Sequence, residues 1–124
     1  MFAETKTQSI FNDLPEVIQS ILHHEAWYGD IEGLKADKLL RGKEHHTYLL
    51  RQGERSTDGG WNYYATFVSP DGTVRHQPFV VTITPEGWCA ENNGFGGPFQ
   101  FGGIECMLHR IMHCEKEQLI ALSK

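Results

Sequence analysis

Arg51 interrupts an apolar strand. Tyr48, Leu49 and Leu50 read as one buried run, the next residue is a guanidinium, and residues 53–60, GERSTDGG, are rich in hydroxyls and glycine. Such a side chain presents five donors in a rigid fork, keeps its charge, and matches two phosphate oxygens at once. A strand would hold it firmly at the floor of a pocket. Above it, Ser56 and Thr57 would donate hydroxyls, while the backbone N–H groups of the segment that begins Gly53, Glu54, Arg55 converge on an anion as a nest. The strand alone leaves an equal alternative: Arg51 emerges to solvent or pairs with Glu44 or Glu54, and Ser56 and Thr57 are ordinary turn residues.

A second set that could do chemistry lies near the end of the chain. Cys106, His109 and His113 follow i, i+3, i+7 spacing, which on a helix would place a thiol beside imidazoles, and Cys114 adjoins His113. This defines the alternative function, a small thiol–histidine enzyme. No fourth metal ligand and no orienting acid accompanies the set, so no metal and no cofactor is expected. The three cysteines are odd in number and lack C-x-x-C spacing, which predicts free thiols. The pairs His23-His24 and His45-His46 have no partners at metal spacing and are expected on the surface.

The bulk numbers narrow the partners. A net charge of −5 disfavours non-specific nucleic-acid binding, which depends on clustered Lys and Arg. With 124 residues, 40 % hydrophobic and 22 % charged, the chain has the size and balance of one soluble domain. It contains neither a run of roughly 20 apolar residues nor the basic start of a secretory signal. A cytoplasmic monomer that does not engage membranes is expected.

The elements that must carry Arg51 follow from periodicity. Residues 13–25 predict an amphipathic helix with Leu14, Val17, Ile18, Ile21 and Leu22 on one stripe, Asp13 and Glu16 at capping-box spacing and Pro15 in the first turn. A second, short helix is predicted from about 32 to 40, with Leu34, Ala36, Leu39 and Leu40 as its apolar set and Arg41-Gly42 as its end. Strands are predicted at 46–52, 61–68, 73–83 and 88–90, separated by TDGG, SPDGT and TPEG turns, which makes an antiparallel meander. The continuous apolar runs imply that both sheet faces are covered in places. Residues 91–102 read as a Gly-rich loop carrying Phe95, Phe99 and Phe101. From 103 a helical stripe returns with Ile104, Met107, Leu108, Ile111 and Met112, and the tail either extends that helix or adds a strand.

This order resembles the Src-homology-2 domain. AWYGDI with ADKLL is similar to the family's opening segment and first helix, YLLRQG to its F-L-V-R-E-S strand, VRHQPF to V-K-H-Y-x-I, GW at 87–88 to a Gly-aromatic turn, and FGGIECMLHRI to the start of its second helix. The resemblance implies an α+β fold, a central antiparallel sheet flanked by two helices over residues 26–124. Residues 1–25 add an N-terminal helix packed on it. It also implies a non-catalytic module that binds tyrosine-phosphorylated proteins or peptides. Arg51 would hold the phosphate, residues 53–57 would close over it, and His76 would support both arginine and phosphotyrosine. Arg75, one residue away, should point to the opposite face. His76 by itself reads more readily as a satisfied structural histidine than as a contact residue.

The chain also departs from the pattern. Gly33 occupies the place of a first-helix arginine, with Arg55 or Lys35 as substitutes, and Gly53 replaces the signature serine, leaving only a backbone N–H. Gln77 and Pro78 replace residues that read beyond the phosphotyrosine. The segment 88–101 is longer than usual, and twelve residues after Met112 are too few for the usual loop and strand of a specificity wall. The expectation is a domain that grips phosphotyrosine and reads its neighbours poorly, with Phe95 and Phe99 as a lid over the ring. Such divergence resembles domains of some bacterial effectors, which would place the protein in a host cytoplasm. A scaffold whose anion site has decayed is the remaining alternative.

Overall fold

The switch from a helical to a strand period near residue 46 becomes, in three dimensions, a switch from flanking helix to sheet. The computed structural model describes residues 14–54, 60–85, 87–92, 95–98 and 104–124. Helices α1 (Glu16–Leu22) and α2 (Gly33–Leu40) precede strands β1 (Thr47–Gln52), β2 (Trp61–Val68), β3 (Val74–Thr84), β4 (Gly87–Asn92) and β5 (Phe95–Pro98). Helix α3 (Glu105–Ile111), a 3-10 turn (Lys116–Gln118) and the short strand β6 (Ile120–Ala121) follow. The sheet order is β5-β4-β3-β2-β1-β6. All pairings are antiparallel except that of β6 with β1. The fold is therefore α+β, a central antiparallel sheet between helices.

Strands β1 and β2 alternate their side chains between two buried layers. Tyr48, Leu50, Tyr63, Ala65, Phe67, Phe79 and Val81 join Val17, Ile18 and Ile21 of α1 and Met107, Leu108 and Ile111 of α3 in the larger core. On the other face Leu49 and Val68 pack against Ala36 and Leu40 of α2. This explains why TYLL does not alternate: both sides of β1 are covered. Helix α1, seven residues long, is far below the roughly 12–15 residues at which an isolated helix persists, so its packing maintains it. Asp13 of the expected capping box lies outside the described residues.

Several expectations change. Leu34 is 66 % exposed, because it lies two residues before Ala36 and so roughly 200° around α2 from the buried face. Residues 91–102 are not one loop: β4 runs to Asn92 and pairs with β5, Asn92 opposite Phe95. The sequence between them is Asn93-Gly94, which lies outside the described residues and is a dipeptide that hairpins favour, a signal that the Gly-rich composition hid. The tail supplies a strand rather than a longer helix.

His24 is not a surface residue. Its Nδ1 accepts the Ala26 N–H at 3.0 Å, and its Nε2 lies 3.0 Å from Glu105 Oε2 and 3.3 Å from the Tyr48 hydroxyl. With Nδ1 an acceptor, the neutral ring carries its proton on Nε2 and donates it toward Glu105. The residue thus ties the segment after α1 to β1 and α3. Among the described residues no helix is long and apolar enough to cross a membrane.

Candidate functional site

Arg51 is the last buried residue of β1, and the pleat directs it to the α2 face. Arg51 as a whole is 8 % exposed. Its Nε donates to Thr66 Oγ1 at 3.1 Å and its Nη2 to His76 Nδ1 at 3.2 Å. Cζ stands 4.3 Å from the centroid of the Tyr64 ring, and Tyr64 is the β2 residue directly opposite Arg51. Thr66 and His76 are themselves opposite each other in the β2–β3 register, with Thr66 Oγ1 3.2 Å from His76 Nδ1. Three strands therefore place the three side chains in one triangle. The bland alternative for Arg51 is not observed: among the described residues the ion pairs join other groups, and neither Glu44 nor Glu54 pairs with it.

Because a guanidinium has no acceptor, His76 Nδ1 must accept, and the neutral ring holds its proton on Nε2. Burial, and then the Arg51 charge, lower the His76 pKa, against an opposing pull from Asp37. Burial also lowers Arg51, with Tyr64 acting in the other direction, yet a guanidinium stays protonated. The folded chain thus binds the His76 proton less readily than the unfolded chain does. Stability from this group is complete above its ordinary pKa of 6.5 and is lost as the pH falls through that value toward the folded one. Urea unfolding at pH 7.5 and 5.5 should show a smaller acid loss in His76→Gln, whose amide oxygen can still accept from Arg51; an equal loss would place the proton uptake elsewhere.

The triangle opens into a cleft of about 550 Å³. Ile31, Gly33, Arg51, Gly53 and Tyr64 line it with His76, and the exposed Asp30, Glu32 and Glu54 also contribute. Parallel pairing brings α2 to this place: Tyr28 N–H donates to Leu50 O and Gln52 N–H to Gly29 O, both at 2.8 Å. Gly29 then turns the chain at φ 68°, a left-handed conformation that suits glycine.

Of the residues expected in the site, Arg51, His76, Gly53 and Glu54 come together in this cleft. Gly53 does not offer its N–H, which donates to Asn62 O at 2.9 Å in the β1–β2 ladder. Glu54 contributes a carbonyl that accepts from Asn62 Nδ2 at 2.7 Å, fixing the start of the loop. Arg55, Ser56, Thr57 and Phe99 lie outside the described residues, as does the side chain of Phe95. The Phe95 backbone lies on β5, four strand spacings or roughly 19 Å from β1. Thr66 and Tyr64 were missed by sequence reasoning. Their place on the α2 face of β2 was the available signal, since residues of one parity on adjacent strands share a layer.

Arg75 faces the opposite layer, as expected, and lines a larger hollow of about 1080 Å³ with Phe67, Gln77 and Cys114. The cysteine–histidine set also lies on that side. His109 Nδ1 is 3.2 Å from the Cys114 carbonyl oxygen, so its N–H serves the backbone. Burial, followed by Glu115, pushes the Cys114 thiol up rather than acidifying it.

No family model matches the sequence, and no curated protein does. Among solved structures, the chain is similar to the solution structure of the SH2 domain of the human proto-oncogene protein VAV1. The identity is 17 % and the TM-score 0.42, and the match covers 61 % of this chain and 49 % of that one.

Proposed function

We propose that the chain is a non-catalytic module that binds phosphotyrosine in proteins or peptides, with Arg51 as the principal phosphate contact and little selectivity for flanking residues. One observation carries this reading: a buried arginine whose guanidinium is positioned by Thr66 and His76, faces a cleft and lacks a carboxylate partner among the described residues. Burying a charge without a counter-ion is unfavourable by several kcal/mol, and an anionic ligand removes that imbalance. The depth of the charge selects the ligand. Phosphate at the end of a tyrosine ring reaches the floor, whereas phosphate on a serine stops short.

The weak selectivity rests on the path of the chain after α3. It turns through Lys116–Gln118 and goes directly to pair with Thr47 and Tyr48, so this segment builds no long wall beside the cleft. Calorimetric titration with phosphotyrosine, phosphoserine and several unrelated phosphotyrosine peptides tests both parts. Measurable binding of phosphotyrosine alone is expected, with peptide affinities within about threefold of one another, or ~0.7 kcal/mol, and no binding of phosphoserine. Equal binding of phosphoserine would refute the depth argument. A wide spread among peptides would instead give the hollow beside Gln77 a role in reading flanking residues.

A further inference from the structure

A cross-strand row crosses the floor of the Arg51 cleft. Arg51 on β1 is opposite Tyr64 on β2, and Tyr64 is opposite Pro78 on β3. Residues directly opposite on adjacent strands present their side chains to one face and lie close together. Tyr64 therefore stands between the cation and an exposed proline, carried by the sheet and not by a loop. It is half-buried and lines the cleft, with Arg51 Cζ 4.3 Å from its ring centroid.

We infer that Tyr64 is the specificity-determining residue for the ring of the ligand: its aromatic side chain meets the ring of a phosphotyrosine whose phosphate is seated on Arg51. This rests on the reading of the cleft as a phosphotyrosine site and adds a second determinant, aromaticity, to the depth of the charge.

The covalent structure of the ligand gives one reason. In an aryl phosphate a single oxygen joins phosphorus to the ring, so a phosphate held by a guanidinium brings that ring to whatever flanks the guanidinium. Tyr64 flanks Arg51 at contact distance. The lining of the cleft gives another. Among the described residues there, Tyr64 brings the benzene ring and Ile31 the aliphatic side chain, while the rest are glycine, polar or charged. Phe95, expected over the ring, has its backbone on β5, four strands away from β1. The contact it was expected to make falls to Tyr64. Two aromatic rings attract each other beyond the area they bury, because the negative face of one meets the positive edge of the other, and a saturated ring of the same size has neither.

Phenyl phosphate and cyclohexyl phosphate separate this effect from depth. They have the same reach, and the saturated ring buries at least as much apolar surface, so depth and area give the aryl ligand no advantage. A tyrosine that only covered the guanidinium would act on both ligands alike. If Tyr64 reads the ring, the preference for phenyl over cyclohexyl phosphate should be roughly fivefold greater in the parent and in Tyr64→Phe than in Tyr64→Leu, the size of one aromatic pair. The comparison is between two ligands on the same variant, so a general weakening of the site cancels. In the parent protein, nuclear Overhauser contacts are expected between the ring protons of bound phenyl phosphate and those of Tyr64, a result that does not depend on how the variants fold.

An equal preference in Tyr64→Leu and the parent, or no contact between the two rings while phenyl phosphate binds and Arg51→Met abolishes binding, would overturn the inference and leave the phosphotyrosine reading in place. No binding of phenyl phosphate at all would overturn both.

Discussion

Arg51→Met is expected to abolish phosphotyrosine binding while leaving the domain at least as stable as the parent. Losing one partner of a buried charge pair commonly costs about 2–5 kcal/mol, which here means a fall in affinity of roughly thirtyfold to several thousandfold. Folding should respond in the opposite sense. The parent buries a cation with no carboxylate partner among the described residues, and methionine keeps the apolar stem against Tyr64 while removing the charge. The two polar neighbours are not stranded, because Thr66 Oγ1 is already 3.2 Å from His76 Nδ1 and can donate to it. Calorimetry with a phosphotyrosine peptide and urea unfolding on the same variant decide the matter. Intact binding would mean that the site is wrongly assigned. A large loss of stability would show that Arg51 serves the fold.

The second large effect concerns Gly53, and it runs against the family pattern. Gly53→Ser would restore the hydroxyl found at that place in the resembled domains, and it is expected to destabilise the protein without tightening binding. A Cβ at 53 would lie 2.8 Å from the Asn62 carbonyl carbon, 2.9 Å from its oxygen and 2.9 Å from Tyr63 N. These are backbone atoms of a paired strand, so they cannot swing aside as a side chain would. Forcing extra atoms into a packed site costs about 1–3 kcal/mol, and more where the obstacle is rigid. Gly53→Ala should show nearly the same loss in urea unfolding, since the clash comes from Cβ and not from the hydroxyl. Tighter phosphotyrosine binding by the serine variant at unchanged stability would show that β1 and β2 separate here more easily than their ladder suggests.

Much of the scaffold was legible because local periodicity encodes it. Strand β2 occupies the residues that its β-branched and aromatic run predicted, and α2 starts within one residue of its expected place. Leu34 shows where period reasoning fails: an apolar residue near a stripe looks like part of it, although its angle around the helix points outward. His24 shows another limit. A histidine pair without metal spacing looks like surface, and only packing brings Glu105, 81 residues away, within 3.0 Å of it. In β5 composition misleads, because glycines suggest a loop where the chain pairs with β4 as an antiparallel strand.

By itself the sequence determined that one charge interrupts an apolar strand, that helices precede and follow a meander, and that glycine stands at 33 and 53 where the resembled family places arginine and serine. These are properties of residue type and short-range order, which a chain displays along its length. Tertiary structure alone decided what each of them does. Strand register brought Thr66 and His76 to the guanidinium, turned Arg75 to the far layer and bonded the Gly53 N–H to Asn62. The parallel contact of residues 26–29 with β1 carried the start of α2 to Arg51, so that the absent side chain at 33 lets the buried cation approach the helix closely. Contacts between residues far apart depend on which strand pairs with which and in what register, and composition and period along one chain leave those choices open.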